Sequence, residues 1–155
     1  MEEQLRKDMI QFIEGSRDAV VCSIDEHGFP NAKTMFRRKT EDLRTIWFSS
    51  NVSAVRTQQW TACSKACVYF FDREDNAGLM LTGHIKIFTD DETKRLHWNQ
   101  GDEQYYRLGP TDPDYCMLRF TADKGNYMSG NKYLFSLDGC VSVAAHHYDG
   151  KWTQD

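Results

Sequence analysis

Residues 66–72, ACVYFFD, are almost unbroken apolar sequence, and after a short polar stretch GLMLTGHIKIFTD (78–90) follows. A run like the first is typical of a strand covered on both faces. The second is a long strand with Gly83 inside it, where a bulge or a close backbone approach is expected. Two such strands need a sheet that curves around a core. The rest of the chain supplies it. DAVVCSID and FPNAKTMFRR flank the turn EHG and read as a hairpin. TIWFSS, YCMLRFTAD and NKYLFSL add further strands.

Helical signals are fewer. Leu5, Met9, Phe12 and Ile13 recur at helical spacing ahead of Gly15, so residues 3–14 are predicted as an amphipathic helix. A short helix is predicted from near Ser53 to about Ala62. TDDE (89–92) has the form of a capping box, with Thr89 as cap and Glu92 three residues on, opening a helix through Leu96 and Trp98. GDEQYYRLGPTDPDY reads as a loop, and CVSVAAHHYDGKWTQD has no clean period. Six or seven strands and three helices point to a mainly β chain, a closed or nearly closed barrel with helices over its ends. With 155 residues it is expected to be a single domain, 1–155.

Composition narrows the function classes. The net charge is −4 with no basic block, which gives nucleic-acid binding no support. No apolar run approaches the roughly 20 residues of a membrane span, and MEEQLRKDMIQFIEG lacks the apolar stretch of a secretory signal. Cys22, Cys63, Cys67, Cys116 and Cys140 are an odd set without framework spacing, so reduced thiols and a cytoplasmic location are expected. Cys67 falls in a predicted strand with no second ligand pair nearby, so no metal site is expected.

The stretch FSSNVSAVR (48–56) carries the chemistry. A strand ends in three serines and an asparagine, and a helix begins. Ser53 is a good helix cap. Arg56 then falls in the first turn, at the positive end of the helix dipole, where a cation needs a carboxylate or a bound phosphate to offset it. In the neighbouring strand Lys33 and Met35 share one face. A lysine, a polar turn and an arginine on adjacent elements can line one elongated pocket. No proton-shuttling triad is evident. His84, His97, His146 and His147 read as structural or surface histidines, and Trp98 and Tyr127 as core or interface aromatics.

These pieces, in their order, resemble the pyridoxamine 5'-phosphate oxidase-like flavoproteins with an FMN-binding split barrel, particularly their general stress protein subgroup. The matching stretches are the opening helix, VVCSIDEHGFPNAKTM, TIWFSSNVSAVRTQQW, KACVYFFD, GLMLTGHIKIFTDDETKRLHW and DPDYCMLRFTADKGNYM. The resemblance implies a split β-barrel, FMN as cofactor, and a homodimer with the flavin between subunits. It places Lys33, Thr34 and Met35 along the flavin ring, with lysine where arginine is commoner. It places Ser49, Ser50, Ser53 and Arg56 around the ribityl and phosphate groups; the family serine falls at Ala54, one residue past Ser53.

Gly78 stands where true oxidases carry a glutamine, and HHYDGKWTQD has no counterpart of their substrate-holding arginine segment. The resemblance therefore implies a flavin oxidoreductase acting on an unidentified small molecule or electron donor. Oxidation of pyridoxamine phosphate is not expected. Two other readings are a barrel that stores or senses a flavin, pyridoxal phosphate or haem without turnover, and a barrel that has lost its ligand.

Overall fold

The computed structural model describes residues 3–137 and 144–146. The opening helix, α1 (Glu3–Gly15), buries Met9 and Ile13 and packs Leu5 and Phe12 partly against the same core, as the spacing predicts. The hairpin follows as β1 (Asp18–Ile24) and β2 (Pro30–Thr40). Its turn is held by the Asp25 carboxylate, which accepts from the N–H groups of His27 and Phe29, and Gly28 takes the positive φ the turn requires. Next come β3 (Thr45–Asn51), α2 (Val55–Ala62), β4 (Lys65–Asp72) and β5 (Ala77–Phe88). A short helix, α3 (Asp91–Leu96), and two 3-10 turns lead to β6 (Tyr115–Ser129) and β7 (Asn131–Ser136). A last short strand, β8 (Ala144–His146), lies in the aperiodic tail; Cys140 and His147 fall outside the described residues.

All pairings are antiparallel. The sheet order is β3-β2-β1-β4-β5-β6-β7-β8, and β3 also pairs with β6. That extra ladder closes six strands into a barrel, and β7 and β8 continue the sheet beyond it. Inside lie Val21, Ile46, Phe48, Val68, Phe70, Leu79, Leu81, Leu118 and Phe120, all essentially inaccessible. Burying each such side chain contributes about 1.5–3 kcal/mol. A second, smaller apolar cluster sits on the outer wall of β3 and β6. There Trp47, Tyr106, Tyr115 and Met117 pack with Phe88 and Trp98. His97 stacks on Trp47 at 4.3 Å, and burial holds its imidazole below the usual histidine range.

Three local expectations change. β4 alternates: Ala66, Val68 and Phe70 face the core, but Cys67 and Tyr69 are half-buried and Phe71 is exposed, so one chain covers only one face of ACVYFFD. α3 is capped by Asp90, not Thr89, because the Asp90 carboxylate accepts from the N–H of Thr93 at 2.8 Å. The helix stops at Leu96, and Lys94 turns inward to donate to the Asp112 carbonyl.

Gly83 does mark a bulge, where the β5–β6 register shifts between Thr82 and Gly83. A Cβ at Gly83 would lie 2.0 Å from the Thr121 carbonyl oxygen and 2.8 Å from the Ala122 Cα. Both are backbone atoms of a paired strand and cannot swing aside. Gly83→Ala is therefore expected to cost about 1–3 kcal/mol or more, seen as a fall in Tm of roughly 3–12 °C. An unchanged Tm would mean that the bulge yields freely.

Candidate functional site

β2 and β3 are paired only through Arg37↔Phe48, Lys39↔Trp47 and Thr40↔Ile46, with an irregularity between Arg37 and Lys39. Continued, that register would set Met35 opposite Ser50. Instead the strands part, and residues 30–36 of β2 pair with β1 alone. The barrel is thus split along one seam. Lys33, Thr34 and Met35 lie on the open edge; Met35 is buried, whereas Lys33 and Thr34 are exposed. Lys33 makes no ion pair among the described residues.

On the other side of the split, β3 sends Ser49 and Ser50 to opposite faces. Ser50 is buried, and its hydroxyl lies 3.0 Å from that of Thr57 in α2. Ser49 accepts from Arg38 Nε at 2.9 Å. Arg38 in turn pairs with Asp102 at 2.7 Å, and the two side chains are only 11% and 6% exposed. Removing one partner of such a pair strands a buried charge, a loss of about 3–5 kcal/mol. Ser49 is therefore committed to a structural network. Tyr106 belongs to it too: burial pushes its phenol up, against a hydrogen bond with Ser49.

The turn after β3 is organised by Asp114. Its carboxylate accepts from Ser53 N–H at 2.7 Å, from Ser53 Oγ at 2.9 Å and from Asn51 Nδ2 at 2.9 Å. The Ser53 N–H is the chief reason the Asp114 carboxyl stays below its usual range. Ser53 is not the helix cap. Ala54 occupies that position, in an extended conformation and with no side-chain cap bond. The N–H groups of Thr57 and Gln58 reach the Ala54 carbonyl, while those of Val55 and Arg56 have no partner among the described residues. α2 is anchored from below by Gln59, whose Oε1 accepts from Ser23 Oγ at 2.5 Å and from Asn31 Nδ2 at 3.0 Å.

Arg56 is the second residue of α2. It forms no ion pair among the described residues, and its Nε is buried without a hydrogen-bond partner. It lies within electrostatic reach of Cys116, whose thiol burial and Asp114 push up to about 12 while Arg56 pulls the other way. Cys116 Sγ donates to the Ser50 carbonyl at 3.4 Å. Ser50, Arg56 and Thr57 therefore form one group at the end of the split, carrying an uncompensated cation and two unpaired helix N–H groups. This arrangement can hold an anion.

Of the residues singled out in the sequence, Ser50 and Arg56 come together here, Lys33, Thr34 and Met35 line the open edge of β2, and Ser49 and Ser53 are held by Arg38 and Asp114. Thr57, Arg38, Asp102 and Asp114 were not foreseen. Thr57 had a signal, since it lies one residue after Arg56 in the first turn. The acids lie in the loop and had none. Gly78 is crowded: a Cβ there would meet the Tyr69 hydroxyl at 2.5 Å.

The family model described as pyridoxamine 5'-phosphate oxidase like matches residues 4–149. Among solved structures, the chain is similar to a Clostridium acetobutylicum protein related to general stress protein 26 of B. subtilis, of the pyridoxinephosphate oxidase family. The two are 37% identical, the TM-score is 0.81, and the match covers 89% of this chain and 98% of that one. General stress protein 26 from Bacillus anthracis is 19% identical with a TM-score of 0.70, over 81% of this chain and 94% of that one. A pyridoxamine 5'-phosphate oxidase-related, FMN binding protein from Nostoc punctiforme shares the fold at 12% identity and a TM-score of 0.70, over 93% of this chain and 95% of that one. No curated protein matches. With its split barrel and a family match spanning nearly all of its length, the chain belongs to the pyridoxamine 5'-phosphate oxidase-like family.

Proposed function

We propose that the protein is an FMN-dependent oxidoreductase acting on a small molecule. The observation that carries this reading is Arg56, a cation at a helix N-terminus with a buried, unpartnered Nε and no carboxylate. A phosphate monoester fits the donor set of Arg56 and the Val55 and Arg56 N–H groups, with the buried Ser50–Thr57 hydroxyl pair directly behind it. The unpaired edge of β2 at residues 30–36 offers backbone donors and acceptors to a flat heterocycle, with Lys33 as the nearby positive charge. Flavin supplies the redox chemistry when bound, so the chain itself needs only to bind, orient and shield it. FMN is favoured over FAD because the sequence has no GxGxxG dinucleotide fingerprint.

Heat release from the purified protein should yield FMN. Guanidinium grips two phosphate oxygens at once, and a charge-assisted bond of this kind is worth about 1.5–3 kcal/mol. Arg56→Ala should therefore weaken FMN binding by about 10- to 100-fold or more, with Arg56→Lys recovering part. Riboflavin, which lacks the phosphate, should bind weakly and barely respond to the change. Equal losses for riboflavin and FMN would make Arg56 a folding residue and sink the assignment. Reduction of the bound flavin by nicotinamide donors, followed by reoxidation with candidate acceptors, tests turnover.

Little or no oxidation of pyridoxamine 5'-phosphate is expected. The family resemblance puts Gly78 where true oxidases carry a glutamine, and Tyr69 crowds the space a side chain there would need. Pyridoxal phosphate formation at about 1 per second or faster would contradict this.

We also propose a homodimer with the flavin between subunits. The outer wall leaves Phe36, Met128 and Leu134 exposed on β2, β6 and β7, an apolar load better covered by a second copy than by water. Light scattering at micromolar concentration should give the dimer mass; a monomer that still holds FMN would rule this out.

A further inference from the structure

Cys22 and Cys67 are direct register partners on the antiparallel strands β1 and β4. Such partners have Cα atoms about 4.5–5.5 Å apart, within the roughly 4.4–6.8 Å that a disulfide spans. Their neighbours Val21 and Val68 point into the core, so both cysteines point outward, where they are half-buried and free. They line one groove of about 580 Å³ together with Lys65, Thr82, His84 and Lys124. Their closeness also registers electrostatically: burial, and after it Cys22, pushes the Cys67 thiol up to about 11. Cys63 and Cys116 are placed differently. Cys63 ends α2, and Cys116 is buried in the barrel core.

The seam that the pair occupies is a short one. β1 and β4 register only through Val20↔Tyr69, Val21↔Val68 and Cys22↔Cys67, whereas β4 and β5 pair along their length from Lys65↔His84 to Asp72↔Ala77. A covalent link at Cys22–Cys67 would fasten the end of this seam.

We propose that Cys22 and Cys67 are a redox modification site, closing reversibly to a cross-strand disulfide that staples β1 to β4. The oxidant is a low-molecular-weight disulfide of the glutathione type. One cysteine loses its proton and attacks a sulfur of the reagent, forming a mixed disulfide and expelling one reagent thiolate. The other cysteine loses its proton, attacks the protein sulfur of that mixed disulfide and expels the second. Two electrons pass from the protein to the reagent, and the two protons end on the two released thiols. Thiolate is the nucleophile, so thiols this weakly acidic close slowly unless the solution is mildly alkaline.

The test uses the full chain with oxidised glutathione at mildly alkaline pH, followed by alkylation, digestion without reductant and mass mapping. The expected product is a peptide pair joined through Cys22 and Cys67. Its formation should raise Tm by roughly 5–15 °C, and dithiothreitol should reverse both. Cys63→Ser and Cys140→Ser should behave as wild type. Cys22→Ser and Cys67→Ser should lose the link and the Tm rise, and each should carry glutathione on the remaining thiol. Absence of the Cys22–Cys67 link would overturn the proposal. So would a dominant link from either residue to Cys63, Cys116 or Cys140, or one between chains.

Discussion

Thr45–Asn51 pairs along its whole length with the first half of β6, from Thr45↔Thr121 to Asn51↔Tyr115. The split barrel depends on that ladder. It closes the barrel, and it holds β3 firmly enough that β3 needs only a brief pairing with β2. A sheet edge left bare is normally a liability, because its N–H and C=O groups solicit other chains. Here β3 is held by β6 instead, and residues 30–36 of β2 stay unpaired on the β3 side. That stretch is where the backbone can serve a ligand, and the constraint that opens it is distant from it.

Charge placement at the end of the split follows the same logic. Arg38 sits at the irregularity where β2 leaves β3, and its partner Asp102 comes from the loop 64 residues on. A buried ion pair is poor evidence of stability, but it does fix which groups meet. It fixes Ser49 and, with Tyr106, docks the loop onto the outer aromatic cluster. Asp114, at the far end of that loop, is saturated by Ser53 and Asn51. Both acids that serve this end of the barrel are thereby committed, and Arg56 is left without one. An orphaned cation beside a bare helix terminus is costly in a folded protein without an anionic partner, which is why the proposed phosphate site rests on Arg56.

Much of the architecture was legible in the sequence. Period and run length gave α1, the first hairpin, α2 and the strands through β7, because burial on one face imposes those patterns wherever a core forms. Gly83 announced a bulge, since a backbone approach that close excludes any Cβ. The Lys33–Met35 face and the first-turn position of Arg56 were also local facts, readable from alternation and helix phase.

What the tertiary structure decided were the partners. Both predicted caps moved by one residue, Ser53 giving way to Ala54 and Thr89 to Asp90. At the first, Asp114 offers Ser53 a partner that no local rule contains; at the second, the neighbouring carboxylate takes the same N–H duty. Ser49 met Arg38, Arg38 met Asp102, and Cys22 met Cys67 only because segments separated in the chain became neighbours. Sequence determined which segments must bury an apolar face, because that requirement is set by each segment's own periodicity. The fold determined which polar groups are spent on one another and which are left over, because hydrogen bonds and ion pairs depend on atoms within a few ångströms, and only chain closure brings those atoms together.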